Sequence, residues 1–87
     1  MALTYTDIQA YAAEYTSPAS TFLATINQET HAEVPGAQML SGHLQGQVLA
    51  TFSQMIRPTR ILEIGTYTGY ATLCLAAGLT PNGILYT

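Results

Sequence analysis

The chain has 87 residues, short of the ~100–150 typical of a domain, which excludes two domains and leaves one small domain or a piece of a larger one. Hydrophobic residues make up 48% and charged residues 8%, against a usual ~25% charged, a balance that excludes intrinsic disorder. The basic residues, Arg57 and Arg60, face five acids, Asp7, Glu14, Glu29, Glu33 and Glu63. No basic stripe exists to neutralise phosphates, so the charge balance argues against nucleic-acid binding. The N-terminus lacks a basic segment followed by an apolar one, and the longest apolar run, Leu73 to Ala77, is far below the ~18 residues that span a bilayer, so a cytoplasmic location is expected. Cys74 stands alone between Leu73 and Leu75, which predicts a buried, inert thiol and no intrachain disulfide.

In chain order, Thr6 followed three residues later by Gln9 reads as a capping box, and Ile8, Tyr11, Ala12 and Tyr15 recur at helical spacing, which predicts a helix from Thr6 to Tyr15. Ser17-Pro18 reads as an N-cap with proline at the first helical position. Phe22, Leu23 and Ile26 then form an apolar face up to the polar run Asn27-Gln28-Glu29. Val34-Pro35-Gly36 breaks the pattern. Ser41 offers the next cap, and Leu44, Val48, Leu49, Phe52 and Ile56 mark a third helix ending near Arg57-Pro58.

After Pro58 the pattern changes. Arg60-Ile-Leu-Glu-Ile-Gly65 is a short apolar, β-branched run ending at glycine, as expected of a buried parallel strand. Tyr70 to Ala77 reads as a helix closed by Gly78, Thr80-Pro-Asn-Gly83 as a turn, and Ile84 to Thr87 as the start of a second strand. The division expected is a helical region, residues 1–57, followed by the start of an α/β unit, residues 58–87, with one strand-helix-strand crossover. Two strands alone leave open edges, so this fold class reads as truncated after the second strand, and a homo-oligomer is expected.

The most informative segment is Glu63-Ile-Gly65-Thr-Tyr-Thr-Gly69-Tyr70, at the carboxyl end of a strand, where open α/β sheets bind ligands. Gly65 permits a sharp turn and close approach of a ligand, Gly69 permits close helix packing, and free N–H groups at the helix start suit a carboxylate or phosphate. A Walker loop needs a different spacing and a lysine, and a dinucleotide turn needs glycine where Tyr67 stands. A tight turn that binds nothing is the competing reading of these glycines.

The run Leu62-Glu-Ile-Gly-Thr-Tyr-Thr-Gly-Tyr-Ala71 resembles the first motif of the cation-dependent O-methyltransferases, the family of catechol and caffeoyl-CoA O-methyltransferases. Met39-Leu-Ser-Gly42 with Gln45-Gly-Gln47 and Leu49 resembles the segment before that motif, and Leu79 to Thr87 resembles the second strand, so the likeness covers almost all of residues 36–87. The first two helices match only as a variable N-terminal cap. The resemblance implies a Rossmann-like class I methyltransferase fold and S-adenosylmethionine as ligand. Met39 and Ser41 would lie on one side of it, Glu63, Gly65, Thr66 and Tyr67 beneath its methionine portion, and the backbone of Gly69 to Ala71 against its carboxylate. A sulfonium and an ammonium are cations, so a carboxylate at Glu63 and a polarizable Met39 suit them. A core filler is an equal reading of Met39 and a helix cap a competing reading of Ser41, whereas Glu63 closing an apolar strand needs a partner. One departure is Ala71 followed by Thr72 where the family has serine after the motif's last tyrosine, which displaces a hydroxyl expected on the carboxylate.

The resemblance also implies an acid for the ribose just beyond Thr87, and a divalent cation such as magnesium whose ligands and catalytic groups lie on later strands. His31, Glu33 and His43 do not make a metal site by spacing, because no matching cysteine pair follows His31-Ala-Glu33. The function expected is that of an N-terminal portion of an S-adenosylmethionine-dependent O-methyltransferase, methylating a phenolic or catechol-type hydroxyl in the full-length parent and inactive alone. Its expected partners are therefore the cofactor and a phenolic small molecule, with no membrane. The alternatives are a non-catalytic helical self-association module and a nucleotide-binding fragment.

Overall fold

The computed structural model describes residues 2–87. Helices α1 (Tyr5–Glu14), α2 (Thr21–Glu33) and α3 (Gly42–Ile56) precede strand β1 (Arg60–Leu62), helix α4 (Tyr70–Leu75) and strand β2 (Ile84–Tyr86). Short 3₁₀ turns at Ala37–Met39 and Ala76–Gly78 lead into α3 and extend α4. The strands pair in parallel, with Arg60 opposite Ile84, Ile61 opposite Leu85 and Leu62 opposite Tyr86. The architecture is a helical layer with a small two-stranded parallel sheet.

Two helix starts differ from expectation. The capping box belongs to Thr4 and Asp7: the Asp7 carboxylate accepts from the Thr4 amide at 3.0 Å and the Thr4 hydroxyl accepts from the Asp7 amide at 3.1 Å. Gln9 instead donates to the Tyr5 hydroxyl one turn back, so α1 begins at Tyr5. Ser17 does not cap α2, because its carbonyl is taken by the side chains of His43 and Gln47 on α3. Ser20 caps it, accepting from the Leu23 amide at 3.2 Å. The polar run Asn27-Gln28-Glu29 is a polar stretch within α2 and does not end it; α2 continues to Glu33 and carries Thr30, whose buried hydroxyl lies 2.7 Å from the Ile26 carbonyl and 3.0 Å from the Thr68 hydroxyl.

The tightest packing lies where α3 meets α4 and the 3₁₀ turn after it. A Cβ at Gly46 would come within 2.8 Å of the Tyr70 ring and 2.9 Å of the Cys74 sulfur. One at Gly78 would collide with the Ser53 carbonyl, so Gly78 is needed for close approach more than for ending a helix. Ser53 joins the two elements, its hydroxyl donating to the Leu75 carbonyl and accepting from the Gly78 amide at 2.9 Å. Tyr70 and Cys74 are buried here as the centre of the core, so the thiol is buried as expected, with Cys74 against Gly46 of α3. Burial raises the Cys74 thiol above its ordinary value.

The expectation of a buried strand fails for β1. Arg60, Leu62 and Ile64 alternate onto a bare face, with Leu62 75% and Ile64 93% exposed, while Ile61 and Leu85 face the helices. Regular pairing also stops at Leu62, short of Gly65, although the Glu63 amide adds a last bond to the Tyr86 carbonyl at 2.8 Å. The described surface is 6239 Å², against about 5,000 Å² for a folded monomer of this mass.

Candidate functional site

The segment between β1 and α4 doubles back through two left-handed glycines. Gly65 has φ +97°, open to glycine without steric cost, and a Cβ there would meet nothing within 4 Å, leaving the backbone approachable. Gly69 also has φ +88° with open space around it, so its part is the sharp turn into α4 and not the close packing expected of it. A hydrogen bond of 2.9 Å from the Gly69 amide to the Thr66 carbonyl closes the turn. Ahead of it, the first-turn amides of α4 have no carbonyl of their own helix to bond.

Tyr67 also has a left-handed backbone, φ +47°, a conformation that costs a residue with a Cβ of order 1 kcal/mol or more. Its hydroxyl donates to the Pro35 carbonyl at 3.0 Å, fastening the glycine turn to the segment before α3. That segment carries Met39 and Ser41. Ser41 sits at the start of α3 but makes no side-chain capping bond, so its hydroxyl is free of the role sequence reasoning offered as its bland explanation. Met39 is exposed, not a core filler, and its side chain folds back over Gly36.

These pieces enclose a cleft of about 40 Å³ lined by Met39, Ser41, Gly65, Thr66, Tyr67 and Ala71, with Leu40, Thr68 and Tyr70 completing the wall. Six of the eight candidate residues thus come together; Glu63 and Gly69 lie outside the lining.

Glu63 has the partners its position demands. Thr72, from the first turn of α4, and Thr87, just past β2, both donate to its Oε1, the latter at 2.7 Å. The Thr72 hydroxyl is therefore engaged by the protein. Sequence reasoning missed Thr87 as a partner, although the register foretells it: one step past the pair Leu62 and Tyr86, Glu63 and Thr87 fall side by side on the same face of the sheet.

The other polar candidates are apart from this cleft. His31 donates to the Asn27 carbonyl at 2.9 Å within α2, and His43 donates to the Ser17 carbonyl, tying α3 to the segment before α2. Among the described residues no three His, Cys, Asp or Glu side chains converge as metal ligands. No helix among them is long and apolar enough to cross a membrane.

Comparison with known proteins places this geometry in context. The O-methyltransferase family profile matches residues 13–87, extending through α2, beyond the part that the motifs alone suggested. A human protein named transmembrane O-methyltransferase is 44% identical over 46 residues, covering 53% of this chain and 16% of that protein. A catechol O-methyltransferase of Niastella koreensis is 35% identical over 65 residues, 75% of this chain and 28% of that protein. The mouse catechol O-methyltransferase domain-containing protein 1 is 40% identical over 43 residues, 49% of this chain and 16% of its own length. The chain spans less than a third of the length of these relatives.

Proposed function

This chain belongs to the O-methyltransferase family, and from that premise we propose that its glycine turn is the methionine-end half of an S-adenosylmethionine site within a Rossmann-like methyltransferase. The observation that carries the reading is the cleft itself, which unites Met39, Ser41, Gly65, Thr66, Tyr67 and Ala71 beside the carboxyl end of β1.

The residues fit the group in charge and shape. Glu63 is the one carboxylate in residues 34–87 and suits an α-ammonium. The Gly65 backbone is approachable because no side chain shields it. Met39 offers a polarizable thioether near a sulfonium, and the amides of Tyr70 and Ala71, unlike that of Gly69, are not taken up by a backbone carbonyl and suit a carboxylate. When bound, S-adenosylmethionine supplies an electrophilic methyl group. The chain's own contribution is to bind and orient: Tyr67 holds the Met39–Ser41 wall through Pro35, and Thr72 and Thr87 hold Glu63. In the whole protein the acceptor is a phenolic or catechol-type hydroxyl. The described residues do not fit a divalent cation, and no step here uses one. The chain alone is inactive in this reading.

Binding by the chain alone is weak, because hydrogen bonds to polar or charged ligand groups are worth about 1–3 kcal/mol each and the cleft offers them to the methionine end alone. In an NMR titration, millimolar S-adenosylmethionine shifts the amides of Gly65 to Ala71, and Glu63→Ala abolishes the shift. Micromolar binding of NAD, or no response of those amides to S-adenosylmethionine, overturns the reading.

A second reading, self-association, is favoured by the surface in excess of a monomer's and by the bare face of Leu62, Ile64, Ile84 and Tyr86. Sedimentation over a hundredfold dilution then shows a concentration-dependent mass. A constant monomer mass excludes it.

A further inference from the structure

Resting on the S-adenosylmethionine reading, we infer that Thr72 and Thr87 are positioning residues which commit one oxygen of Glu63 to the protein and present the other to a cationic ligand group. The parallel register puts Glu63 and Thr87 on the sheet face turned toward the helices, and the first turn of α4 brings Thr72 to the same place. Both hydroxyls donate to Oε1.

Proton direction follows from counting. Thr87 has one hydroxyl proton, and Glu63 receives it, so the 2.7 Å contact between Thr87 and Thr66 has Thr66 as donor. Each hydroxyl proton from Thr66 through Thr87, and from Thr72, is thereby directed toward the carboxylate. Oε2 receives no hydrogen bond from the described residues and is not sealed in the interior. A carboxylate held through one oxygen cannot swing away from its ligand. Its free oxygen has the acceptor chemistry for an ammonium and repels a phosphate or carboxylate.

The test uses the full chain, Thr72→Val and Thr72→Ser, and two probes: S-adenosylmethionine and its desamino analogue, which keeps the sulfonium and the carboxylate but lacks the α-ammonium. At a fixed, subsaturating concentration, Thr72→Val lowers the fractional NMR response to S-adenosylmethionine about tenfold, the usual scale for a charge-assisted contact, and leaves the response to the desamino analogue unchanged. Thr72→Ser restores the S-adenosylmethionine response. An unchanged response in Thr72→Val, or equal loss for both probes, overturns the inference. If the wild-type chain responds to neither probe, the cofactor reading has failed. The positioning of Glu63 is then decided by its carboxyl-carbon resonance without ligand, which Thr72→Val shifts and Thr72→Ser leaves in place. No shift overturns it.

Discussion

Helices α1 and α3 are both amphipathic by pattern, yet they stand at opposite extremes of packing. No residue of α1 is buried, and Ile8, Tyr11 and Tyr15 are exposed, the two tyrosine rings meeting at a tilt of 39° with centroids 4.7 Å apart. In α3, Gly46 and Ser53 are buried: a Cβ at Gly46 would press on the Tyr70 ring and the Cys74 sulfur, and one at Gly78 opposite would strike the α3 backbone at Ser53. Small residues, more than large apolar ones, determine where this chain has a core. A helix with Leu or Tyr on its apolar face needs something to cover it, whereas glycine and serine let two backbones meet directly.

The contrast is broken most severely by Gly78→Ala, whose new Cβ would strike the Ser53 carbonyl, a backbone atom unable to swing aside. Urea unfolding should show a loss of about 3 kcal/mol, at the upper end of what overpacking costs, while Ile8→Ala on exposed α1 costs under about 0.5 kcal/mol. Equal losses would mean that the two helices are equally packed.

A smaller effect follows from pH. Cys74 has its thiol raised by burial, and Tyr70 its hydroxyl raised by burial and then by the neighbouring Cys74. For an acid whose folded value is raised, the folded state holds its proton more tightly, so the stability is present below the ordinary value and is lost as pH rises through the folded one. Stability should hold to the ordinary thiol value of 9.0 and fall above it. Cys74→Ala should flatten the first part of that decline, and an unchanged slope would remove the thiol as its cause.

The smallest effect belongs to α1. Thr4 amide and hydroxyl bonds lower the Asp7 value, so its contribution is present above the ordinary carboxylate value of 3.8 and is lost as pH falls through the depressed one. Circular dichroism should show partial loss of helix in strong acid, and the same loss at neutral pH in Thr4→Ala, with the near-ultraviolet signal of the core little altered. Loss of that signal too would show that α1 is part of the cooperative core.

Much of this was readable in the residues. The three N-terminal helices, the break at Pro35-Gly36, the parallel strands and the glycine turn follow from local pattern, and six of eight candidate site residues meet in one cleft. Helix starts were less legible, because Thr4, Thr6, Ser17 and Ser20 all have capping chemistry. Asp7 selects Thr4, and the His43 and Gln47 bonds remove Ser17 from the competition.

What local sequence determined is periodicity and turn chemistry, since side-chain spacing and the freedom of glycine act over a few residues. Only the tertiary structure decided which partners the polar groups take: Tyr67 with Pro35 across 32 residues, Glu63 with Thr87 across 24, Ser53 with Gly78 across 25. Those bonds depend on where strands and helices come to rest against one another, and a hydroxyl or carboxylate satisfied by a distant residue carries no mark of that partner in its own neighbourhood.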